Sequence, residues 1–313
     1  MPITRSQVAL NAIQWINLKP APGEERRWLY ADPAWRSEQP GVHRQIRDAG
    51  FDAVMMEVLD TQTLQAYQRM LEETGLRPAP GYLQIAPPEA KGLSLRKGSP
   101  EWERWFNPVR RKAEESNYLG LQTIFLAAEM DLTGPRVLEA TATGAFFDQD
   151  MLDRQVEYLV RAAEILAAEG IRPGLHNHVG SRIETRYEIE YVMQQVDASL
   201  LGASFDIGHL EWAGIPSPAF LEKYQDRLVD LHLKDLDLDI AAASRSTPTP
   251  YYVVSDQRFF LEPGLGQIEL PGVLKALGDG FGGWIVIEVD RASMEPFESA
   301  KVTRAWVEEN LPA

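Results

Sequence analysis

The run IRPGLHNH (171–178) closes an apolar stretch with two histidines placed two residues apart. Side chains alternate faces along an extended strand, so His176 and His178 point one way and Leu175 the other. Three more runs end alike. LGASFDIGH (201–209) ends in Asp206 and His209, LVDLHLKD (228–235) in His232 and Lys234, and WIVIEVD (284–290) in Glu288 and Asp290. The same alternation sets His232 and Lys234 opposite Leu231 and Leu233. It sets Trp284, Val286, Glu288 and Asp290 opposite Ile285, Ile287 and Val289. The chain has only five histidines, and four of them fall in these runs, so the placement is not chance.

Outward from these runs, apolar strand-like segments alternate with amphipathic helix-like ones. The strands are expected at 8–15, 52–57, 78–84, 121–127, 171–176, 202–206, 228–233 and 284–289. The helices are expected at 41–49, 61–74, 100–117, 149–169, 185–197, 217–225, 270–278 and 294–309. In the fourth, Leu152, Val156, Leu159, Val160 and Ala163 recur at helical spacing, and Gly170 stops it. Asp60 or Thr61 is the expected cap of the second. Eight strands alternating with eight helices predict an α/β fold with a parallel sheet. At 313 residues this favours a closed (β/α)8 TIM barrel, one domain over 1–313. No G-x-G-x-x-G follows the first strand, which removes the usual sign of a dinucleotide fold. The connection 234–268 is too long for a passive turn and is expected to be a lid or a partner surface. Its segment YYVVSDQRFFL (251–261) would cover the pocket or form a homo-oligomer contact.

Composition bounds the function. The formal net charge is −15, which repels phosphate backbones and argues against a nucleic-acid partner. There is no cysteine, so disulfides, thiolate metal sites and a cysteine nucleophile are excluded. The N-terminal sequence does not read as a secretory signal, and no run approaches the roughly 18 apolar residues of a membrane span. A cytoplasmic protein without membrane partners is expected.

In a barrel the polar strand ends meet at the C-terminal mouth. Four consecutive strands deliver His176, Asp206, His232 and Glu288 there. Two imidazoles and two carboxylates make a mixed nitrogen and oxygen site for one divalent metal ion. Mn²⁺ leads, with Co²⁺, Zn²⁺, Fe²⁺ or Ni²⁺ also fitting; Mg²⁺ and Ca²⁺ prefer more oxygen. Such a metal polarises a carbonyl and stabilises the enediolate left when the neighbouring proton is removed. A nearby carboxylate or histidine moves that proton.

DIGH (206–209), HLKD (232–235), PGLGQI (263–268) and IEVD (287–290), in that order, resemble the xylose isomerase-like TIM-barrel superfamily. That group includes sugar-phosphate isomerases and epimerases, inosose dehydratases, dehydroshikimate dehydratases and endonuclease IV. The likeness covers 120–313. It implies a divalent-metal-dependent sugar isomerase or epimerase, with a ketose or keto-sugar as small-molecule substrate. It also implies Asp206, His232 and Glu288 as three of the four ligands. The family often has E-N-H on the fifth strand, where this chain has H-N-H, so His176 stands in place of a glutamate. In the epimerases the two ligand glutamates, of which Glu288 is one, are the paired acid and base. A histidine there also resembles the inosose dehydratase branch, so a lyase acting on a keto-cyclitol is the alternative. Glu129, in LAAEM (126–130), would supply the lost carboxylate. His178 and His209 would bind substrate or shuttle protons, and Lys234 would hold a developing oxyanion. An apurinic endonuclease would need more histidines, and a non-catalytic sugar binder would need a vestigial metal set.

Plainer roles stand beside these. Glu129 would serve as a helix cap, Lys234 and Asp235 as a surface ion pair, and Glu184 as the opening of the helix at 185–197. Trp15 and Trp212 would line a sugar pocket or pack in the core. Gly264 and Gly266 would make a tight turn or contact phosphate.

Overall fold

The computed structural model describes residues 3–16 and 34–313. Its strands are β1 (Val8–Leu10), β2 (Ala53–Met55), β3 (Arg77–Ala79), β4 (Tyr82–Ile85), β5 (Thr123–Ala128), β6 (Arg172–His176), β7 (Gly202–Ala203), β8 (Leu231–Leu233), β9 (Asp235–Leu236), β10 (Phe260–Leu261) and β11 (Ile285–Ile287). Parallel pairing joins β3, β2, β1, β11 and β8 in one sheet and β4, β5, β6 and β7 in another.

Two junctions close these sheets into one barrel. Between β7 and β8 the ladder continues beyond the named strands. Val229 N–H donates to Ala203 O at 2.8 Å and His232 N–H to Phe205 O at 3.0 Å. Parallel bridges pair Ala203 with Leu228 and Asp206 with His232. On the other side, β3 and β4 are the halves of one pass across the barrel. The first half pairs with β2 and the second with β5. Pro80 lacks an N–H to donate at the break. At Gly81 a Cβ would lie 2.7 Å from the Met56 side chain, so no larger residue fits without a shift. The eight passes are therefore β1, β2, β3 with β4, β5, β6, β7, β8 and β11, a (β/α)8 barrel.

Alternation along the strands separates two apolar regions. Ala9, Ala53, Met55, Ala79, Phe125 and Val286 fill the barrel interior. Leu10, Val54, Ile124, Leu126, Leu175, Ile285 and Ile287 face outward into the larger core shared with the helices. The helix Gln149–Ala168 shows how the outer layer is built. Asp148 caps it by accepting from Met151 N–H, and Leu152, Leu159, Ala162, Ala163 and Leu166 form its buried stripe.

The structure shifts several expected boundaries. The stretch 8–15 is a strand only to Leu10 and turns into the helix Ile13–Ile16. The helix expected at 41–49 starts earlier and runs Trp35–Asp48, with Pro40 inside it. The next is capped by Thr63, whose side chain accepts from Ala66 N–H, not by Asp60 or Thr61. The segment 100–117 splits at Phe106 into Pro100–Trp105 and Asn107–Tyr118, with Pro108 in the first turn of the second. The helix at 185–197 is Arg186–Gln195, opened by Thr185 and not Glu184. Glu184 instead is buried and accepts from the N–H groups of Gly144 (3.0 Å), Gly180 (2.8 Å) and Ala142 (3.3 Å).

The excursion 234–268 is structured. β9 and β10 pair antiparallel, and the helices Leu238–Ser246 and Tyr251–Ser255 lie between them. Asp235 clamps the return. Its Oδ2 accepts from Gly264 and Gly266 at 2.9 and 3.0 Å, and its Oδ1 from Leu236 and Ile268 at 2.9 and 3.0 Å. A surface pair of Lys234 with Asp235 is thereby ruled out, since both are buried. The glycine amides are already bound by a carboxylate, so the tight-turn role of Gly264 and Gly266 holds and phosphate contact does not.

Candidate active site

Asp206 is the hub. It caps the helix Ile207–Trp212 through Oδ1, which accepts from His209 N–H at 3.0 Å, and this aims Oδ2 into the barrel mouth. Asn177 braces the Asp206 backbone from both sides, accepting its N–H at 3.0 Å and donating to its carbonyl at 3.2 Å. Around Asp206 Oδ2 lie Lys234 Nζ at 3.1 Å, His232 Nδ1 at 3.7 Å, His176 Nε2 at 3.9 Å and His209 Nε2 at 4.0 Å. Gly208 permits this convergence, because a Cβ there would sit 2.7 Å from Cβ of Lys234.

Glu288 closes the ring from the strand next to His232. Its Oε2 is 2.5 Å from His232 Nδ1, and its Oε1 accepts from Asn11 Nδ2 at 3.0 Å. Phe125 is the floor, with its ring 4.0 Å from His232 and 5.9 Å from His176, and Tyr82 lies edge-on to His176 at 5.0 Å. His176, Asp206 and His232 thus offer donor atoms all within 4.8 Å of one another. His178, His209 and Asp290 form a second such group. Lys234 joins the two, with Nζ 2.6 Å from Asp290 Oδ1 and 3.4 Å from both Glu288 Oε2 and His209 Nε2.

Burial and charge set the protonation states. Burial drives His176 and His209 well below the usual imidazole range, with neighbouring histidines adding to the effect. Burial, reinforced by Lys234, takes His178 down to about 4. His178 Nδ1 lies 2.7 Å from Val179 O, which only accepts, so Nδ1 carries the proton and Nε2 is bare. Burial also disfavours charge on His232, yet Glu288 and Asp206 raise it to about 9. Burial opposes ionisation of Glu288 and Asp206, but Lys234 and the neighbouring histidines together outweigh it: Glu288 falls to about 2 and Asp206 well below its ordinary value. Lys234 is held charged by Asp206, Asp290 and Glu288 against its own burial. Asp290 is pushed up to about 7 by burial, against the pull of Lys234.

A divalent cation fits this set. His176 Nε2 and His232 Nδ1 face Asp206 Oδ2 from 3.9 and 3.7 Å, buried and too far to hydrogen-bond to it, a spacing that separate ligands of one ion would have.

A cavity of about 500 Å³ opens above the cluster and is bordered by His176, His178, His232, Glu288 and Asp290. Lys234 and His209 do not border it; they stand behind the carboxylates and behind His178, whose ring is 3.8 Å from that of His209. Glu129 is on the rim, partly exposed, with Lys91 Nζ at 2.6 Å, and lies outside the ligand cluster. Trp212 is in the core, bonded through its indole N–H to Ser244 and stacked 6.1 Å from His209, and Trp15 donates to Gln45. Neither tryptophan borders the cavity. Sequence reasoning missed Asn11, Glu57, Tyr82 and Gln84, all of which border it, whereas Tyr251 borders it from the 251–261 segment expected to cover the pocket or meet another subunit. For Glu57 the signal was present: FDAVMME (51–57) also ends an apolar run in a polar residue, without a histidine to draw attention.

The sequence profile of the xylose isomerase-like TIM-barrel family matches residues 44–310. Inosose dehydratase of Geobacillus thermodenitrificans (strain NG80-2) is 30% identical over 166 residues, 52% of this chain and 56% of that protein. The chain thus spans about half the length of the curated relatives it matches. Among solved structures, the D-allulose 3-epimerase of Methylomonas sp. in complex with D-allulose superposes with a TM-score of 0.66 at 14% identity, over 98% of each chain. A xylose isomerase-like TIM-barrel protein of Mycobacterium smegmatis in complex with magnesium gives 0.66 at 16% identity, over 99% of this chain and 98% of that one. At these identities the structural likeness concerns the fold.

Proposed function

The chain belongs to the xylose isomerase-like TIM-barrel family, and from that premise we propose that it enolises a keto-sugar or keto-cyclitol and expels water from it. The observation that carries this is His178. It is neutral, its tautomer is fixed by the Val179 carbonyl so that Nε2 is bare, and it borders the cavity beside the ligand cluster. A neutral imidazole so held is a base for the proton next to a ketone. His176, Asp206, His232 and Glu288 would hold one divalent ion, with Mn²⁺ the first choice for this mixed donor set. When bound, that ion would polarise the ketone and neutralise the enediolate charge. Lys234 keeps Asp206 and Glu288 ionised for the ion, and His209 packs on His178 and limits its orientation. Tyr251, from the 234–268 excursion, covers the cavity with its ring 6.2 Å from His178, which supports the reading of that excursion as a lid.

Dehydration is preferred because His176 replaces a carboxylate, which leaves one glutamate among the ligands, and because the curated relatives are inosose dehydratases. Isomerisation or epimerisation is the second reading. It is favoured by the further carboxylates Asp290 and Glu129 at the same cavity, either of which would return a proton to carbon.

The test is an inosose incubated with Mn²⁺-loaded protein in D2O. Dehydration gives a conjugated product with new ultraviolet absorbance; isomerisation gives deuterium at the carbon beside the ketone without loss of water. His178→Ala should keep one ion per chain and lose turnover by about 10²–10⁴-fold. Full turnover by metal-free protein would sink the mechanism.

A further inference from the structure

Glu57 borders the cavity at the barrel mouth, outside the ligand cluster, and forms no ion pair among the described residues; Asp131, also in the lining, uses Oδ1 to accept from Thr133. Strand alternation places it above Met55, which points into the barrel interior. Its backbone is pinned from two helices. Glu57 N–H donates to the Tyr67 hydroxyl at 3.0 Å, and Gln39 Nε2 donates to Glu57 O at 2.9 Å. These contacts fix the backbone from which the side chain departs.

Two cavities meet at this residue. One is the substrate cavity of about 500 Å³. The other, about 640 Å³, runs under the helix Asn107–Tyr118; Glu57, Tyr82 and Gln84 border both. The second is lined further by Asp60, Arg111, Lys112 and Glu115. Those groups form a chain outward: Lys112 Nζ lies 2.8 Å from Glu115 Oε2, Arg111 Nε 2.8 Å from Glu115 Oε1, and Arg111 also pairs with the exposed Asp60. Glu57 retains some solvent access through these cavities but is otherwise walled by protein. No described residue donates a hydrogen bond to its carboxyl group.

The geometry points to Glu57 as the general acid of the site, a protonated carboxyl that gives its proton to the departing hydroxyl and is reloaded from solvent through the second cavity. This rests on the dehydration reading. The step balances. The carbon-bound proton goes to His178 Nε2 and is later released to solvent, the C–H electron pair becomes the new carbon–carbon double bond, the C–O bond breaks with its electron pair on oxygen, and the Glu57 proton completes a water molecule. Glu57 is left as carboxylate until it takes a proton from the side cavity. Nothing is oxidised or reduced. Burial pushes the Glu57 carboxyl upward, with Lys112 opposing and Glu115 adding to the rise, which favours the protonated form.

Two measurements on Mn²⁺-loaded protein test this. Infrared spectroscopy at pH 7 should show a carboxylic-acid C=O band that is missing in Glu57→Gln. With an inosose in D2O, Glu57→Gln should exchange the proton beside the ketone within twofold of wild type, yet dehydrate about 10²-fold more slowly or worse. Glu57→Asp should recover part of the dehydration rate. Absence of the band, wild-type dehydration by Glu57→Gln, or parallel loss of exchange and dehydration would each overturn the assignment. If wild-type protein neither exchanges nor dehydrates, the dehydration reading fails, and with it the general-acid role. The infrared band then still decides whether Glu57 rests protonated.

Discussion

Asn177 sits between two site histidines and touches neither the cavity nor the ligand atoms, yet it fixes Asp206 through two backbone contacts. Asn11 does similar work on Glu288. Groups that orient metal ligands in this way typically account for about 10–100-fold in affinity. Asn177→Ala and Asn11→Ala should each weaken Mn²⁺ binding by that factor in a chelator competition, with the far-ultraviolet circular dichroism unchanged. Unchanged affinity in both would show that the ligands hold themselves. The histidines and acidic ends were legible because polar residues at the ends of apolar runs are rare. The two asparagines were not, since their partners lie 29 and 277 residues away in sequence.

At the scale of elements, the connection 234–268 is where one side chain organises a segment. Four backbone amides converge on the Asp235 carboxylate. Removing it leaves buried donors without partners, at about 1–3 kcal/mol for each that water cannot reach. Asp235→Ala should lower the melting temperature and speed amide exchange in 260–268 while sparing the helix Gln149–Ala168; uniform exchange throughout the chain would contradict a local clamp. Gly266→Ala should have a similar local effect, because a Cβ there would run into the Asp235 carboxylate. Strand-helix order was readable from hydrophobic period. Boundaries were not, because side-chain caps and prolines decide them: Thr63 displaced Asp60, and Phe106–Pro108 cut one expected helix in two.

The whole molecule depends on packing between distant segments, and His43 reports on it. It is buried in the helix Trp35–Asp48, edge-on to Tyr67 at 6.1 Å. Burial lowers its pKa from 6.5 to about 4. Between those values the unfolded chain binds a proton that the native state refuses, so stability rises with pH and is lost as pH falls from 6.5 toward 4. The loss from His43 alone amounts to about 2 kcal/mol at pH 5. His43→Phe should flatten that part of the stability curve, as measured by urea unfolding at pH 5 and pH 7. An equal slope in both proteins would show that other groups set it. Among the described residues no helix is long and apolar enough to cross a membrane.

The sequence by itself determined the alternation of strands and helices, the polar face of the runs 171–178, 228–235 and 284–290, and the gathering of His176, Asp206, His232 and Glu288 at one end. Those follow from local periodicity, which the chain carries residue by residue. Only the tertiary structure decided how the ring closes, through the broken pass 77–85 and the bridges beyond β7. It alone buried Lys234 among three carboxylates and set Glu57 between two cavities. Closure, burial and shared cavities depend on which distant segments come together, and periodicity along the chain carries no such information.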